Sequence, residues 1–284
     1  MTSKTKKRIV VLVVLAVVVL AFVLWTAKEN TILESNSYKV SSSRLPAAFD
    51  GYRIAQVSDL HSASAAEENE TLLSLLREAK PDMIALTGDL IDSRDINVET
   101  ALDFAKKAME IAPCYFVTGN HEARIEEFGE LKDGLVALGV VVLEDQRVEI
   151  EKDGEKMLVI GLNDPSFRTD DLFGDSSAVL GKQLKNLKNE ELFTLLLSHR
   201  PEAFEVYAEA GVDLILSGHT HGGQFRLPFI GAIYAPNQGF FPEYDAGLFT
   251  KDHTNMIVSR GVGNSSIPFR INSRSELVVI ELTK

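Results

Sequence analysis

Cysteine and tryptophan occur once each in 284 residues, as Cys114 and Trp25. A lone thiol excludes an intrachain disulfide and leaves the redox compartment open. No Cys-His arrangement accompanies Cys114, which reads as a small buried residue rather than a nucleophile. Internal repeats and low-complexity blocks are also missing, so one large core is the economical expectation for a chain with 45% apolar residues. Basic side chains become scarce after position 8. Residues 9 to 284 carry 25 of them against 41 acids, a formal net of −16. Such a surface repels polyanions and argues against nucleic acid as a partner, although it also simply favours solubility.

Charge of either sign is absent from Ile9 to Trp25, 17 residues that Thr26 and Ala27 extend to 19. At about 1.5 Å per residue this is roughly 28 Å of helix, close to the hydrocarbon thickness of a bilayer. Lys4, Lys6, Lys7 and Arg8 precede the run, whereas Glu29 and Glu34 follow it. The positive-inside rule then predicts a cytoplasmic segment at 1–8, a single-pass anchor at 9–27 and export of the remainder to the outer side of the cell membrane. Trp25 suits the interface. A cleaved signal peptide is the competing reading, but its apolar region is usually shorter, about 7 to 15 residues, and no small-x-small site stands out between Ala21 and Ser37. Residues 28–50 are polar and Ser-rich and read as a juxtamembrane connector with an edge strand near Tyr38 to Val40, leaving 51–284 for one domain.

Five of the six histidines fall in short strings: Asp59-Leu60-His61, Gly119-Asn120-His121-Glu122, Ser198-His199 and Gly218-His219-Thr220-His221, joined by Gly88-Asp89. Any one of these histidines alone would be read as a satisfied core residue. Together, following strand-like runs such as Met83 to Thr87, Tyr115 to Val117, Phe193 to Leu197 and Leu214 to Leu216, they supply the nitrogen and oxygen donors of a two-metal hydrolytic centre. Asp59 and His61 stand two apart and reach one side of a strand end. The two oxygens of Asp89 suit a bridge, and Asn120 offers a neutral amide oxygen. His253 lies outside every string and reads as a surface residue.

In this order the strings resemble the calcineurin-like metallophosphoesterase superfamily over about residues 50 to 284. The resemblance implies an α/β fold of two mixed β-sheets packed as a sandwich and flanked by helices. It implies two divalent ions, with Mn, Zn and Fe suiting the donors comparably. One would be held by Asp59, His61, Asp89 and His221, the other by Asp89, Asn120, His199 and His219. His121 would protonate or polarise the leaving oxygen, or else orient a ligand; Asp92 and Glu122 would accept hydrogen bonds from ligand imidazoles. Gly88-Asp89-Leu90-Ile91-Asp92, Gly218 to Gln224 and Ser259 to Gly263 further resemble a small membrane-associated bacterial subgroup, related to UDP-2,3-diacylglucosamine hydrolase. That points to a phosphodiester or pyrophosphate in a lipid or nucleotide-containing envelope molecule. A broad phosphomonoesterase and a non-catalytic binding protein of the same fold are the alternatives.

Arg200, Arg260 and Arg270 are candidates to hold phosphoryl oxygens, with ordinary salt bridging as the other reading. The stretch Phe225 to Phe241 is rich in aromatic and aliphatic side chains and interrupted by Pro228, Gly231, Pro236 and Gly239. It reads either as a site for an acyl chain or membrane contact, or as a core-packed excursion.

Overall fold

The computed structural model describes residues 2–61, 66–168, 176–265 and 267–284. Among them, two six-stranded mixed sheets face each other. In the first, Leu33–Ser41 runs parallel to Ser275–Thr283, which is antiparallel to Arg53–Val57. Parallel strands Met83–Thr87, Cys114–Val117 and Val141–Val142 complete it. In the second, Gly247–Lys251, Thr254–Val258, Leu214–Ser217, Thr194–Leu197, Glu155–Gly161 and Gln146–Lys152 lie side by side. Its four inner strands are mutually parallel, and each edge strand is antiparallel.

The period-2 alternation of strands sorts the apolar residues into three layers. Ile54, Met83, Ala85, Leu195, Leu197, Leu214 and Leu216 fill the space between the sheets. Their neighbours Ala55, Ile84 and Leu86 turn outward under the helices Ala66–Ala79, Val98–Met109 and Phe128–Ala137. Leu196 and Ile215 turn outward on the other side, with Leu180 and Leu184 of Ser176–Leu187 and with Phe204 and Tyr207 of Phe204–Glu209. Strands covered on both faces therefore read as unbroken apolar runs. Each fully buried Leu or Ile contributes about 1.5–3 kcal/mol relative to exposure.

Gln56 is a buried polar residue between the sheets. Its Nε2 donates to Thr87 Oγ1 at 3.1 Å and to Ser217 O at 2.8 Å, joining the two sheets one turn below the histidine cluster.

Ser3–Glu29 forms a 27-residue helix that is long and apolar enough to cross a membrane, and its apolar stretch is not buried in the protein. The segment after this helix differs from a connector. Leu33–Ser41 pairs over nine positions with Ser275–Thr283, and Phe49 is fully buried against the inter-sheet core. The segment contains the edge strand expected near Tyr38 to Val40 and extends it to nine residues, of which only Val40 is buried. The helix Phe128–Ala137 is preceded by a separate 3-10 turn, Glu122–Arg124, that carries Glu122 inward.

Candidate metal centre

Three strands of the first sheet and two of the second end at one rim, and the histidine strings begin where they end. Asp59 and His61 follow Arg53–Val57, Asp89 follows Met83–Thr87, and Asn120 follows Cys114–Val117. Across the gap, His199 follows Thr194–Leu197, while His219 and His221 follow Leu214–Ser217. This is the carboxyl edge of the parallel strands, where α/β proteins place their ligands. The turns are abrupt. Asp59, His61, Asp89, His219 and His221 all have φ between 50° and 72°, a left-handed conformation uncommon for non-glycine residues. The intervening glycines permit the close approach. A Cβ on Gly119 would lie 2.2 Å from Asp89 Oδ1, and one on Gly218 would lie 1.9 Å from Ser58 Oγ.

Asp59, His61 and His221 converge as one buried group, and Asp89, His199 and His219 as another. His61 Nε2 and His221 Nε2 are 3.1 Å apart, with Asp59 Oδ1 3.3 Å from the latter. Asp89 Oδ2 faces both groups, 3.2 Å from His199 Nε2 and 3.9 Å from His61 Nε2. Its other oxygen accepts the His121 N–H at 2.8 Å, so the carboxylate is fixed with one oxygen turned to each task. Asp59 is fixed across the sheets, accepting from His219 N at 3.2 and 3.1 Å and from Ser58 Oγ at 2.7 Å.

Hydrogen bonds on the far side of two rings assign their tautomers. His199 Nδ1 donates to Thr87 O at 2.8 Å, which turns Nε2 toward Asp89. Asn237 Oδ1 accepts from His219 Nε2 at 2.8 Å and from Arg200 Nη1 at 3.0 Å, leaving Nδ1 of His219 bare. Metal-bound imidazoles need this kind of partner. Among the described residues, Asn120 Oδ1 and His199 Nε2 are buried with no hydrogen-bond partner. His199 Nε2 is within ion-pair distance of Asp89 but is not aligned for a hydrogen bond. Burying such atoms unpaired is costly unless a cation satisfies them, so the donor set fits divalent metal.

Electrostatics point the same way. Burial holds His61 down at about 4, burial and then Arg200 hold His219 down at about 3, and burial with His61 beside it holds His221 well below its ordinary range. These rings are neutral, as ligands must be. Burial also pushes Asp59 up to about 6, with Asp89 adding to it against the pull of His199. His199 is the reverse case. Burial opposes its charge, yet the Asp89 and Asp59 carboxylates push it up to about 10. A proton on His199 and a cation beside Asp89 answer the same concentrated negative charge.

Arg200 and Arg260 follow the salt-bridging alternative, whereas Glu122 departs from its expected role. Glu122 accepts no imidazole; it accepts the backbone N–H groups of Gly119, Asp89 and Ile91 at 2.7, 2.9 and 3.2 Å, tying two strand ends together. Asp92 is forked to Arg94, lies 3.4 Å from His121 Nδ1 and converges with His61 and His121 as a third donor group. Arg200 is forked to buried Asp164, Arg260 pairs with Glu276 and Glu34, and Arg270 donates to the carbonyls of Arg260 and Gly263. Each guanidinium already has acceptors in the protein. Asp164 and Asn237, which position Arg200 and His219, were not singled out from sequence. Their one local signal is the turn chemistry of Asn163-Asp164-Pro165 and Pro236-Asn237.

The family profile described as calcineurin-like phosphoesterase matches residues 52–223. The chain is 30% identical to the uncharacterized metallophosphoesterase YkuE of Bacillus subtilis, over 89% of this chain and 87% of that one. It is 30% identical to phosphodiesterase YaeI of Escherichia coli, over 81% and 82%. It is 29% identical to a transmembrane protein with metallophosphoesterase domain from Danio rerio, over 86% of this chain but 56% of that longer protein.

Proposed function

Because this chain belongs to the calcineurin-like phosphoesterase family, we propose that it is a membrane-anchored phosphodiesterase with a dinuclear metal centre, acting on a lipid-linked or nucleotide-containing envelope molecule from the outer side of the cytoplasmic membrane. The chain is a metal-dependent phosphoesterase; the diester preference, the two-metal count, the substrate and the orientation are the proposal. The observation that carries it is Asp89 Oδ2, which faces both imidazole groups at once. Asp59, His61, Asp89 and His221 would hold one ion, and Asp89, Asn120, His199 and His219 the other. Two divalent ions there supply Lewis acidity toward phosphoryl oxygens and toward water, and Mn, Zn and Fe suit these donors.

The protein's own groups do the rest. Thr87 O, Asn237 and Gln56 hold the rim rigid, and His121 offers an N–H to the ester. With Arg200, Arg260 and Arg270 engaged, anionic substrate is drawn by the metals rather than by a basic pocket, which suits a small phosphoryl group on an acidic protein. The test is the full chain in detergent, stripped of metal and resupplied singly with Mn, Zn or Fe, assayed on aryl phosphodiesters and monoesters. Turnover restored by metal, higher on diesters, and two ions per chain are expected. Asp89→Ala should lose both ions and nearly all turnover. Higher monoester turnover would replace the diester reading, and Asp89→Ala retaining two ions would remove the shared-carboxylate reading.

A further inference from the structure

The metal centre leaves an apolar surface beside it unused. Phe229 is 108% exposed relative to a reference chain, Phe240 74%, Phe241 66% and Ile230 61%. Phe229 and Ile230 lie in the turn of one short hairpin, Arg226–Leu227 with Gly231–Ala232, and Phe240 and Phe241 lie at the open end of a second, Tyr234–Ala235 with Gly239–Phe240. Phe229 and Phe241 have φ of 67° and 54°, positions where glycine or asparagine would relieve the backbone. Two bulky aromatics are thus presented to solvent against both backbone preference and the hydrophobic effect.

The surface is continuous with the end of the apolar helix. Asn30, its C-terminal cap, accepts from Arg270 N at 2.6 Å and donates to Arg270 O at 2.8 Å. Glu29 is forked to Arg274 at 2.6 and 2.8 Å. Next to Arg270, the half-exposed Phe269 meets Phe225 edge to face at 5.5 Å. Phe225 O accepts from Ile233 N, and Ile233 O accepts from Phe241 N, both at 2.9 Å. An unbroken set of contacts therefore runs from the helix end to Phe241. On the other side Phe225 follows the His221–Gly223 turn directly. A cavity of about 240 Å³ lined by His221, Gln224, Phe225, Tyr234, Pro236 and Ile267 lies between centre and rim.

We infer that this rim is a second membrane contact: Phe229, Ile230, Phe240 and Phe241 enter the headgroup–acyl boundary of the leaflet from which the helix emerges, seating the metal centre on the lipid surface. The inference rests on reading Ser3–Glu29 as a membrane span. A helix crossing the bilayer delivers Asn30 to the interface, and the contacts from Asn30 to Phe241 bring the rim with it. The substrate class that fits is an amphiphile whose apolar portion lies against Phe225, Tyr234 and Ile267 while its phosphoryl group reaches His221 and its neighbours. Attraction by charge is not the cause, because the chain carries a formal −12 and Arg226 is already paired with Asp245.

The experiment uses the full chain in phosphatidylcholine vesicles, with an environment-sensitive fluorophore on Phe229→Cys, Phe240→Cys or Glu151→Cys. Glu151 lies on Gln146–Lys152, at the opposite edge of the second sheet from Gly247–Lys251, the strand that follows the rim. Cys114 does not compete for label, since it is fully buried and burial pushes its thiol up to about 12. Quenching by nitroxide-bearing lipid should be several-fold stronger at 229 and 240 than at 151, and insensitive to added salt. Equal quenching at the three positions in protein that floats with the vesicles overturns the rim contact while leaving the anchor intact. Protein that fails to float overturns the anchor, and the rim inference with it.

Discussion

Ser93 donates its backbone N–H to Nδ1 of His121 at 2.9 Å. A backbone amide can only donate, so Nδ1 must accept and the ring's proton resides on Nε2, 4.0 Å from Asp89 Oδ2. Burial, opposed by Asp89 and Asp92, keeps the pKa of this imidazole below its ordinary value. His121 is therefore a neutral N–H donor turned toward the centre.

His121→Ala should keep both metals and lose about 10²- to 10⁴-fold in turnover, less for aryl esters whose leaving group is already a good anion. Since the neutral ring is the donor, the His121-dependent part of the rate should persist from pH 7 to pH 9. An equal loss across good and poor leaving groups would reassign the residue to positioning. A rate that declines steadily above pH 6.5 would require a charged imidazolium instead.

Metal uptake should release protons. His199, pushed up to about 10 by Asp89 and Asp59, carries a proton at neutral pH that must leave before Nε2 can act as a ligand. Affinity should therefore rise with pH up to about 10. Titration calorimetry in buffers of different ionisation enthalpy should find about one proton released per chain at pH 8, a value that His199→Asn reduces. Metal affinity independent of pH between 6 and 9 would contradict this.

The convergence of these side chains was legible in the sequence because each donor sits one to four residues beyond an apolar strand, and strand ends of one sheet share a rim. What stayed hidden depends on contacts remote in sequence. Nothing near Arg200 announces that Asp164 will neutralise it, and nothing near Glu122 announces three backbone amides from two loops. Only the Tyr38 to Val40 part of Leu33–Ser41 was legible, because the rest has the composition of a linker and takes its order from register with Ser275–Thr283 at the other end of the chain. The sandwich came from family resemblance, since periodicity finds strands without saying which faces meet.

Asn237 offers a test of that remote layer. Its Oδ1 takes the Nε2 proton of His219, while Arg200 Nη1 stands 2.9 Å from the same nitrogen. In Asn237→Ala the guanidinium becomes the nearest partner, and as an obligate donor it would drive the ring proton to Nδ1, the nitrogen the metal needs. Metal affinity should fall about 10- to 100-fold with the far-ultraviolet circular dichroism unchanged. Unchanged affinity would show that Asn237 does not set the tautomer.

The place where the soluble domain begins depends on the edge strand. Cutting at Lys39 removes six of the nine residues of Leu33–Ser41, together with Glu34 and its bonds to Arg260 and Arg274. Ser275–Thr283 then becomes an exposed edge with unpaired backbone groups. Losing several backbone hydrogen bonds at about 1 kcal/mol each, with about 2–4 °C per kcal/mol for a domain of this size, should lower Tm by at least about 5 °C. A chain starting at Thr31 keeps the strand and should be the more stable and less aggregated of the two. Both should bind metal while folded, because no proposed ligand precedes Asp59. Equal Tm for the two starts would mean that Leu33–Ser41 contributes no stability, and that residues 28–50 behave as the connector their composition suggests.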